Sequence, residues 1–130
     1  MIRTNEDLDA FLSKLERKHE RLADGTHLVS IGGGSPIVAM RLAPPVLVIE
    51  VVIGRVPDAP TERLLALYRK LLEYNAERLL HASYGLQGQQ IVLSAALELE
   101  SVDLNEIEAV LADVDMALAE QVPSLRELGQ

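Results

Sequence analysis

The sequence contains no cysteine and no tryptophan, and aromatic residues occupy only 3% of its 130 positions. The absence of cysteine excludes disulfides, thiolate nucleophiles and cysteine-ligated zinc or iron–sulfur centres. So few aromatic side chains argue against a stacking platform for single-stranded nucleic acid. The composition therefore removes several classes of cofactor site and one class of binding surface.

Long hydrophobic runs are also missing. The longest apolar stretch, residues 46–53, is interrupted by Glu50 and is far too short to span a bilayer. The amino terminus is polar and lacks the apolar stretch of a secretory signal. We therefore expect a cytoplasmic protein that has no membrane contact.

Positive charge is scarce, since 12 Lys and Arg residues face 20 Asp and Glu residues, for a net charge of −8 at pH 7. Residues 83–130 carry one basic and nine acidic side chains, so the whole excess lies in the last third. A negative field repels phosphate backbones and anionic lipids, which disfavours nucleic acid and membrane surfaces as partners. The acidic region is compatible with a solvated helix face or with recognition of a basic peptide.

The apolar spacing predicts a single α+β domain over residues 1–130, in the order α-β-β-β-α-β-β-α. We expect an antiparallel sheet of about five strands with helices packed on it. The predicted first helix spans residues 5–23, and the predicted last helix starts at Asp103 and ends at Pro123. We expect residues 122–130 to be a loose tail or a short extra turn. The predicted strands are residues 27–31, 36–42, 46–56, 83–86 and 90–100.

The second predicted helix is apolar over more than half of its circumference, from Leu64 to Leu80. A helix that packs on a single core needs a narrower apolar stripe than this. In a domain this small, the second helix must contact both its own sheet and something else. The most common such partner is the same helix of a second subunit.

The glycine-rich stretch Gly32–Gly34 lacks the lysine, the following Ser or Thr and the helix start of a phosphate loop. It also lacks the spacing of a dinucleotide loop, so it is interpreted as a turn between strands. Glu50 interrupts the apolar third strand. It is either a half-buried carboxylate with a raised pKa or a residue at a point where the strand reaches solvent.

The three histidines, His19, His27 and His81, show no metal-ligand spacing. We expect His19 to pack on the apolar stripe of the first helix. His81 lies at the end of the second helix, where a protonated imidazole would interact favourably with the helix dipole. No catalytic, metal-binding or cofactor-binding residue is predicted, and the sequence does not look like that of an enzyme.

Three stretches resemble one protein family. Residues 65–75 look like the family's second helix, which ends its leucine run in an asparagine. Residues 84–97 look like its glycine-containing short strand and the long strand that follows, and residues 99–118 look like its closing acidic helix. The sequence thus resembles, over roughly residues 5–120, the CesT/Tir-chaperone-like family of small type III secretion chaperones and their YbjN-like relatives.

The resemblance implies a homodimer that pairs largely through the second helix and neighbouring strands. It also implies that the dimer binds an extended segment of a secreted effector protein without ATP or catalysis. Apolar grooves and sheet-edge hydrogen bonds would hold that segment. The residues expected in the dimer interface are Leu64, Leu65, Tyr68, Leu71, Leu72, Asn75 and Leu79. The residues expected in the partner-binding groove are Phe11, Leu12, Leu15, Val29, Ile31, Ile37, Val38 and Met40.

Two alternatives remain open at this point. Ordinary core is the favoured explanation for each groove position, because sequence does not separate groove from core and most such apolar residues are buried. The same fold could also serve as a small-molecule-binding or regulatory module with no role in secretion. A closed apolar pocket with a few converging polar groups would favour that second function.

Overall fold

The computed structural model describes residues 1–30 and 37–128. Its elements are α1 (Asn5–Lys14), β1 (His19–Arg21), β2 (His27–Ser30), β3 (Ile37–Ala43), β4 (Val46–Arg55), α2 (Thr61–Glu77), β5 (Ser83–Gln87), β6 (Gln90–Glu98), α3 (Leu104–Met116) and α4 (Val122–Leu128). A π-helical turn, Ala117–Gln121, joins α3 to α4. The α+β class and the predicted element order are confirmed, with β1 and α4 as additions. Ile31, Pro36 and the Gly32–Gly34 turn lie outside the described residues.

The six strands form one antiparallel sheet in the order β1-β2-β3-β4-β6-β5. The nearly all-apolar strand β4 lies at its centre, where Ile49 pairs with Met40 on one side and with Ala95 on the other. Leu47, Ile49 and Val51 are almost fully buried in a core shared with α1, α2 and α3. The alternating residues of β4 point to the opposite face, which is half-buried or exposed.

The first helix is shorter than predicted: it ends at Lys14, and residues 19–21 form strand β1 instead. Its start is as expected, because the Thr4 hydroxyl accepts a hydrogen bond from the Asp7 N–H and the Asp7 carboxylate accepts one from the Thr4 N–H, both at 3.1 Å. Glu16 adopts a φ of 56°, which turns the chain out of the helix. Pairing with β2 then satisfies backbone groups of residues 19–21, so sheet contacts override a short stretch of helical spacing.

Residues 122–128 form α4, with Val122 and Leu125 buried, so this segment is longer and better packed than the loose tail or short extra turn expected there. Pro123 had indicated a helix end, since proline lacks the N–H that a continuing helix donates. The π-helical turn before it shifts the phase of the helix, and Pro123 falls in the first turn of α4, where that donor is not needed. Residues 129 and 130 lie outside the described part of the chain.

A buried carboxylate ties α3 to the segment that follows α2. Asp113 is only 6% exposed, and its Oδ2 accepts hydrogen bonds from the N–H groups of Leu80, His81 and Ala82 at 3.0, 2.6 and 2.9 Å. A carboxylate that accepts three backbone hydrogen bonds offsets much of the cost of its burial. Asp113 therefore fixes the path of the chain where it leaves α2.

Candidate partner-binding surfaces

Helix α2 has two apolar faces with opposite environments. Leu67 and Leu71 are 1% and 5% exposed and pack in the core, whereas Leu65 and Leu72 are 62% and 67% exposed. Leu65 and Leu72 are seven residues apart, which places them in one line along the helix. Together with the exposed Ala76, they form what we call the outer face of α2.

The residues predicted for the dimer interface divide between these faces. Leu71 and Leu79 belong to the core of a single chain, and Leu64 and Tyr68 are half-buried. Leu65 and Leu72 are the exposed members of the predicted set. The sequence-based list did not include Leu80, which is 84% exposed and lies just beyond the end of α2. Its apolar character alone could not separate it from core leucines.

Asn75, also predicted for the interface, has a different partner. Its Nδ2 donates to the Tyr84 carbonyl at 3.2 Å, and its Oδ1 accepts from the Tyr84 N–H at 2.7 Å. Both polar ends of the amide are thus engaged by strand β5. Asn75 fastens α2 to the edge of the sheet within one chain, and its place in a dimer interface stays a prediction.

The predicted groove is largely core. Leu12, Val29, Val38 and Met40 are 0% exposed, and Phe11 and Leu15 are partly buried against the same cluster. Ile37 is the described member of the set with a large exposed surface, at 51%, and Ile31 lies outside the described residues. The four fully buried side chains cannot contact a partner without opening the core, so the structure corrects the groove prediction for them.

The exposed Ile37 belongs to another apolar surface, on the face of the sheet opposite the core. The register aligns Leu28 of β2 with Ala39 of β3, and Arg41 of β3 with Val48 of β4. Val52 is 45% exposed on this face. We call this surface the open sheet face; its half-buried or exposed apolar residues include Leu28, Ile37, Ala39, Val46, Val48 and Val52. Val92, which pairs with Val52 on the same face, is buried.

Glu50 lies within the open sheet face rather than in a closed cavity. The strand register places it between Ala39 and Ser94. Its Oε2 accepts a hydrogen bond of 3.0 Å from the Gln87 side chain at the edge of the sheet. Of the two interpretations of Glu50, the structure favours the one in which the strand reaches solvent.

A polar cluster joins α1 to strands β1 and β2. Asp9 Oδ1 lies 2.8 Å from Nε2 of the fully buried His27 and 3.5 Å from Nε2 of His19. Arg21 contributes a further contact of 3.4 Å to Asp9 Oδ2. His19 therefore does pack, but from β1 and through Asp9, not from the first helix. Across the described residues, no group of three or more His, Asp or Glu side chains is arranged to hold a metal ion.

A second buried polar pair joins β5 to the π-helical turn. The Tyr84 hydroxyl donates a hydrogen bond of 2.7 Å to Gln121 Oε1, and Gln121 Nε2 donates to the Met116 sulfur at 3.4 Å. Burial raises the pKa of the Tyr84 hydroxyl far above its ordinary value, with a smaller contribution from nearby Tyr74. The hydroxyl thus stays protonated at neutral pH and acts as a structural donor.

Membrane insertion has no support from the helices: within residues 1–30 and 37–128, none combines the length and apolar character needed to cross a bilayer.

Solved structures share the fold at low sequence identity. A chain of the heterodimeric ExoU–SpcU complex from the Pseudomonas aeruginosa type III secretion system gives a TM-score of 0.63 at 16% identity, over 89% of this chain and 95% of that one. YbjN from E. coli gives 0.63 at 14% identity, over 93% and 95%. The Yersinia pestis type III secretion chaperone SycH, in complex with a stable fragment of YscM2, gives 0.57 at 17% identity, over 91% and 95%.

Sequence comparison gives the family. No protein with a curated description has a significant match to the sequence. The sequence model of one family, CesT_Tir_1, matches residues 1–130. The resemblance drawn from residues 65–75, 84–97 and 99–118 is therefore confirmed. This chain belongs to the CesT_Tir_1 family.

Proposed function

We propose that this protein is a non-catalytic, dimeric, cytoplasmic chaperone-like protein that binds an extended segment of a partner protein, in particular a secreted effector. The observation that carries the proposal is the exposed outer face of α2 in a chain that belongs to the CesT_Tir_1 family. The SycH structure, a type III secretion chaperone with a fragment of another protein bound, supports the same class of partner.

The outer face of α2 suits a second copy of the chain. Two leucines more than 60% exposed on one line of a helix leave apolar area that association would remove from water. Beside them, Arg69 and Glu73 form an ion pair of 3.1 Å within the same helix. Because these opposite charges are already matched, a second copy of α2 would not meet an unpaired charge there.

The sheet offers two features that suit an extended segment. Strand β5 is an edge strand of the sheet, and four of its five residues are exposed. Because Asn75 already binds the N–H and carbonyl of Tyr84, an extended peptide can add main-chain hydrogen bonds to this edge only beyond that residue. The open sheet face supplies apolar surface to the side chains of a bound segment, and its exposed residues Ile37 and Val52 replace the buried positions of the predicted groove.

The partner-binding proposal is tested by co-expressing the protein with the product of a neighbouring gene and mapping the bound region by limited proteolysis. We expect a protected, extended segment of that partner and a complex that survives gel filtration. A Val52→Asp variant should weaken the complex, whereas Leu22→Asp, at a 38% exposed leucine that follows β1 and lies outside both features, serves as the matched control. Equal losses in the two variants, or no protected segment, would contradict the proposal.

A further inference from the structure

A cleft of about 320 Å3 lies where the end of β4, helix α2, strand β6 and helix α4 meet. Its apolar lining includes Leu67, Ile91, Val122 and Leu125, all buried residues. We call it the β4–α4 cleft. Helix α4, which the sequence did not predict, forms one of its walls, so the cleft exists only because residues 122–128 are folded.

Gly54 keeps part of this cleft open. The register between β4 and β6 shifts between Val52 and Gly54, so the strand bulges where it borders the cleft. A Cβ atom placed on Gly54 would meet nothing within 4 Å, and the backbone there has no positive φ. Neither crowding nor backbone conformation therefore requires glycine at this position. Its effect is to leave space that a side chain would fill.

Two arginines border the cleft, and neither forms an ion pair with a carboxylate of residues 1–30 or 37–128. Arg55 and Arg126 both line it and are exposed. Every ion pair found among the described residues involves other basic side chains. This is notable in a chain of net charge −8, where carboxylates outnumber basic groups by 20 to 12. Two guanidinium groups beside an apolar floor complement a ligand that is both aliphatic and anionic.

We propose that the β4–α4 cleft takes an aliphatic side chain of the partner segment that has an Asp or Glu within two residues of it, with the carboxylate held by Arg55 and Arg126. This inference rests on the proposed function and specifies the chemistry of the segment. A volume near 320 Å3 lies at the small end of ligand sites, which suits one or two aliphatic side chains rather than a helix. The two arginines disfavour a basic segment at this site, although the acidic last third of the chain would attract one elsewhere.

The cleft is tested by methyl NMR on the full chain with the peptide acetyl-Ser-Leu-Glu-Leu-Ser-amide, compared with versions that carry Gln or Lys in place of Glu. We expect the Glu peptide to shift the methyl signals of Ile53, Val122 and Leu125, and to bind about fivefold more tightly than the Gln peptide. The Lys peptide should bind more weakly still. The preference should vanish in the Arg55→Gln/Arg126→Gln variant and shrink in high salt. Equal binding of the three peptides, or no shifts at millimolar peptide, would overturn the inference.

Gly54→Val provides a variant that fills the cleft without strain, and Gly85→Val is its matched control, because Gly85 is also a strand glycine with nothing within 4 Å. We expect Gly54→Val to abolish the methyl shifts and Gly85→Val to keep them. If Gly54→Val binds the full partner segment as the natural chain does, the cleft inference fails while the proposed function stands. If decanoate binds the cleft more tightly than the Glu peptide, the assignment to a protein segment is wrong. Failure of the proposed function would instead show as loss of partner binding by every form of the chain.

Discussion

The two apolar faces of α2 both consist of leucine side chains, but one face is buried and the other is exposed to solvent. Leu71 is 5% exposed and the adjacent Leu72 is 67% exposed. The inner face is covered because α4 and β5 pack against it, and Tyr84 of β5 is hydrogen-bonded both to Asn75 of α2 and to Gln121 of the π-helical turn that precedes α4. The comparison shows that a broad apolar arc on a helix indicates how many surfaces the helix contacts. It does not indicate which leucine belongs to which surface.

The largest effect should come from removing the residue that fixes the end of α2. Asp113→Ala leaves three buried or partly buried N–H groups without their acceptor and should cost about 3–5 kcal/mol of unfolding free energy. Urea unfolding measures the loss. Asp113→Asn, which keeps one acceptor oxygen, should lose clearly less. An Ala variant as stable as the natural protein would show that these hydrogen bonds do not hold α2 in place.

The comparison between the two faces is sharpened by substituting adjacent leucines. Leu71→Ala should cost about 3 kcal/mol, because it removes buried methyl groups and leaves a cavity in the core. Leu72→Ala should leave the stability of a single chain nearly unchanged and should instead reduce the dependence of the melting temperature on protein concentration. Thermal melts at several concentrations distinguish the two effects. Equal losses of stability would contradict the division into inner and outer faces.

The smallest effect concerns the start of α1, which is remote from both faces. Thr4→Ala removes the helix cap and should cost about 1 kcal/mol. Hydrogen bonds from the N–H groups of Arg3 and Thr4 lower the pKa of Asp7. A carboxyl group with a lowered pKa in the folded state stabilises the fold above its unfolded pKa, and this contribution disappears as the pH falls through the folded value.

The same carboxyl group gives a pH test. Asp7→Asn should make stability on the acidic side of neutrality less dependent on pH, as measured by denaturation at a series of pH values. Asp24→Asn provides a comparison, since the N–H of Thr26 lowers the pKa of Asp24 in a turn rather than at a helix start. An unchanged pH profile in Asp7→Asn would mean that the cap does not contribute to acid sensitivity.

Elements with one long, regular pattern could be predicted from the sequence, whereas the structures of residues 15–23 and 122–128 could not. Strands β3, β4 and β6 and helices α2 and α3 follow the expected positions closely. The helix prediction was wrong for residues 15–23 because their apolar spacing fits a helix, whereas strand pairing with β2 determines the structure of residues 19–21. The helix over residues 122–128 was not predicted because the π-helical turn lets Pro123 lie in a first helical turn. No local sequence pattern indicates such a turn.

For the partner-binding surfaces, the sequence indicated that exposed apolar surfaces exist better than it indicated which residues form them. The sequence indicated that the second helix has two apolar faces, and Leu65 and Leu72 do lie on its exposed face. It could not show that Asn75 hydrogen-bonds to Tyr84 in the same chain. It placed the groove on Val29, Val38 and Met40, which alternate correctly in their strands. Strand alternation identifies two faces without indicating which one the helices cover, and here the helices cover the face that had been assigned to the partner.

The central claim is that the outer face of α2 joins two copies of the chain, and the most direct measurement is the solution mass by light scattering behind a sizing column. The account predicts a mass close to twice 14.2 kDa for the natural protein, and a single-chain mass for a folded Leu65→Ser/Leu72→Ser variant. Circular dichroism would confirm that the variant is folded. A natural protein of 14.2 kDa, or a variant that remains dimeric, would contradict the claim.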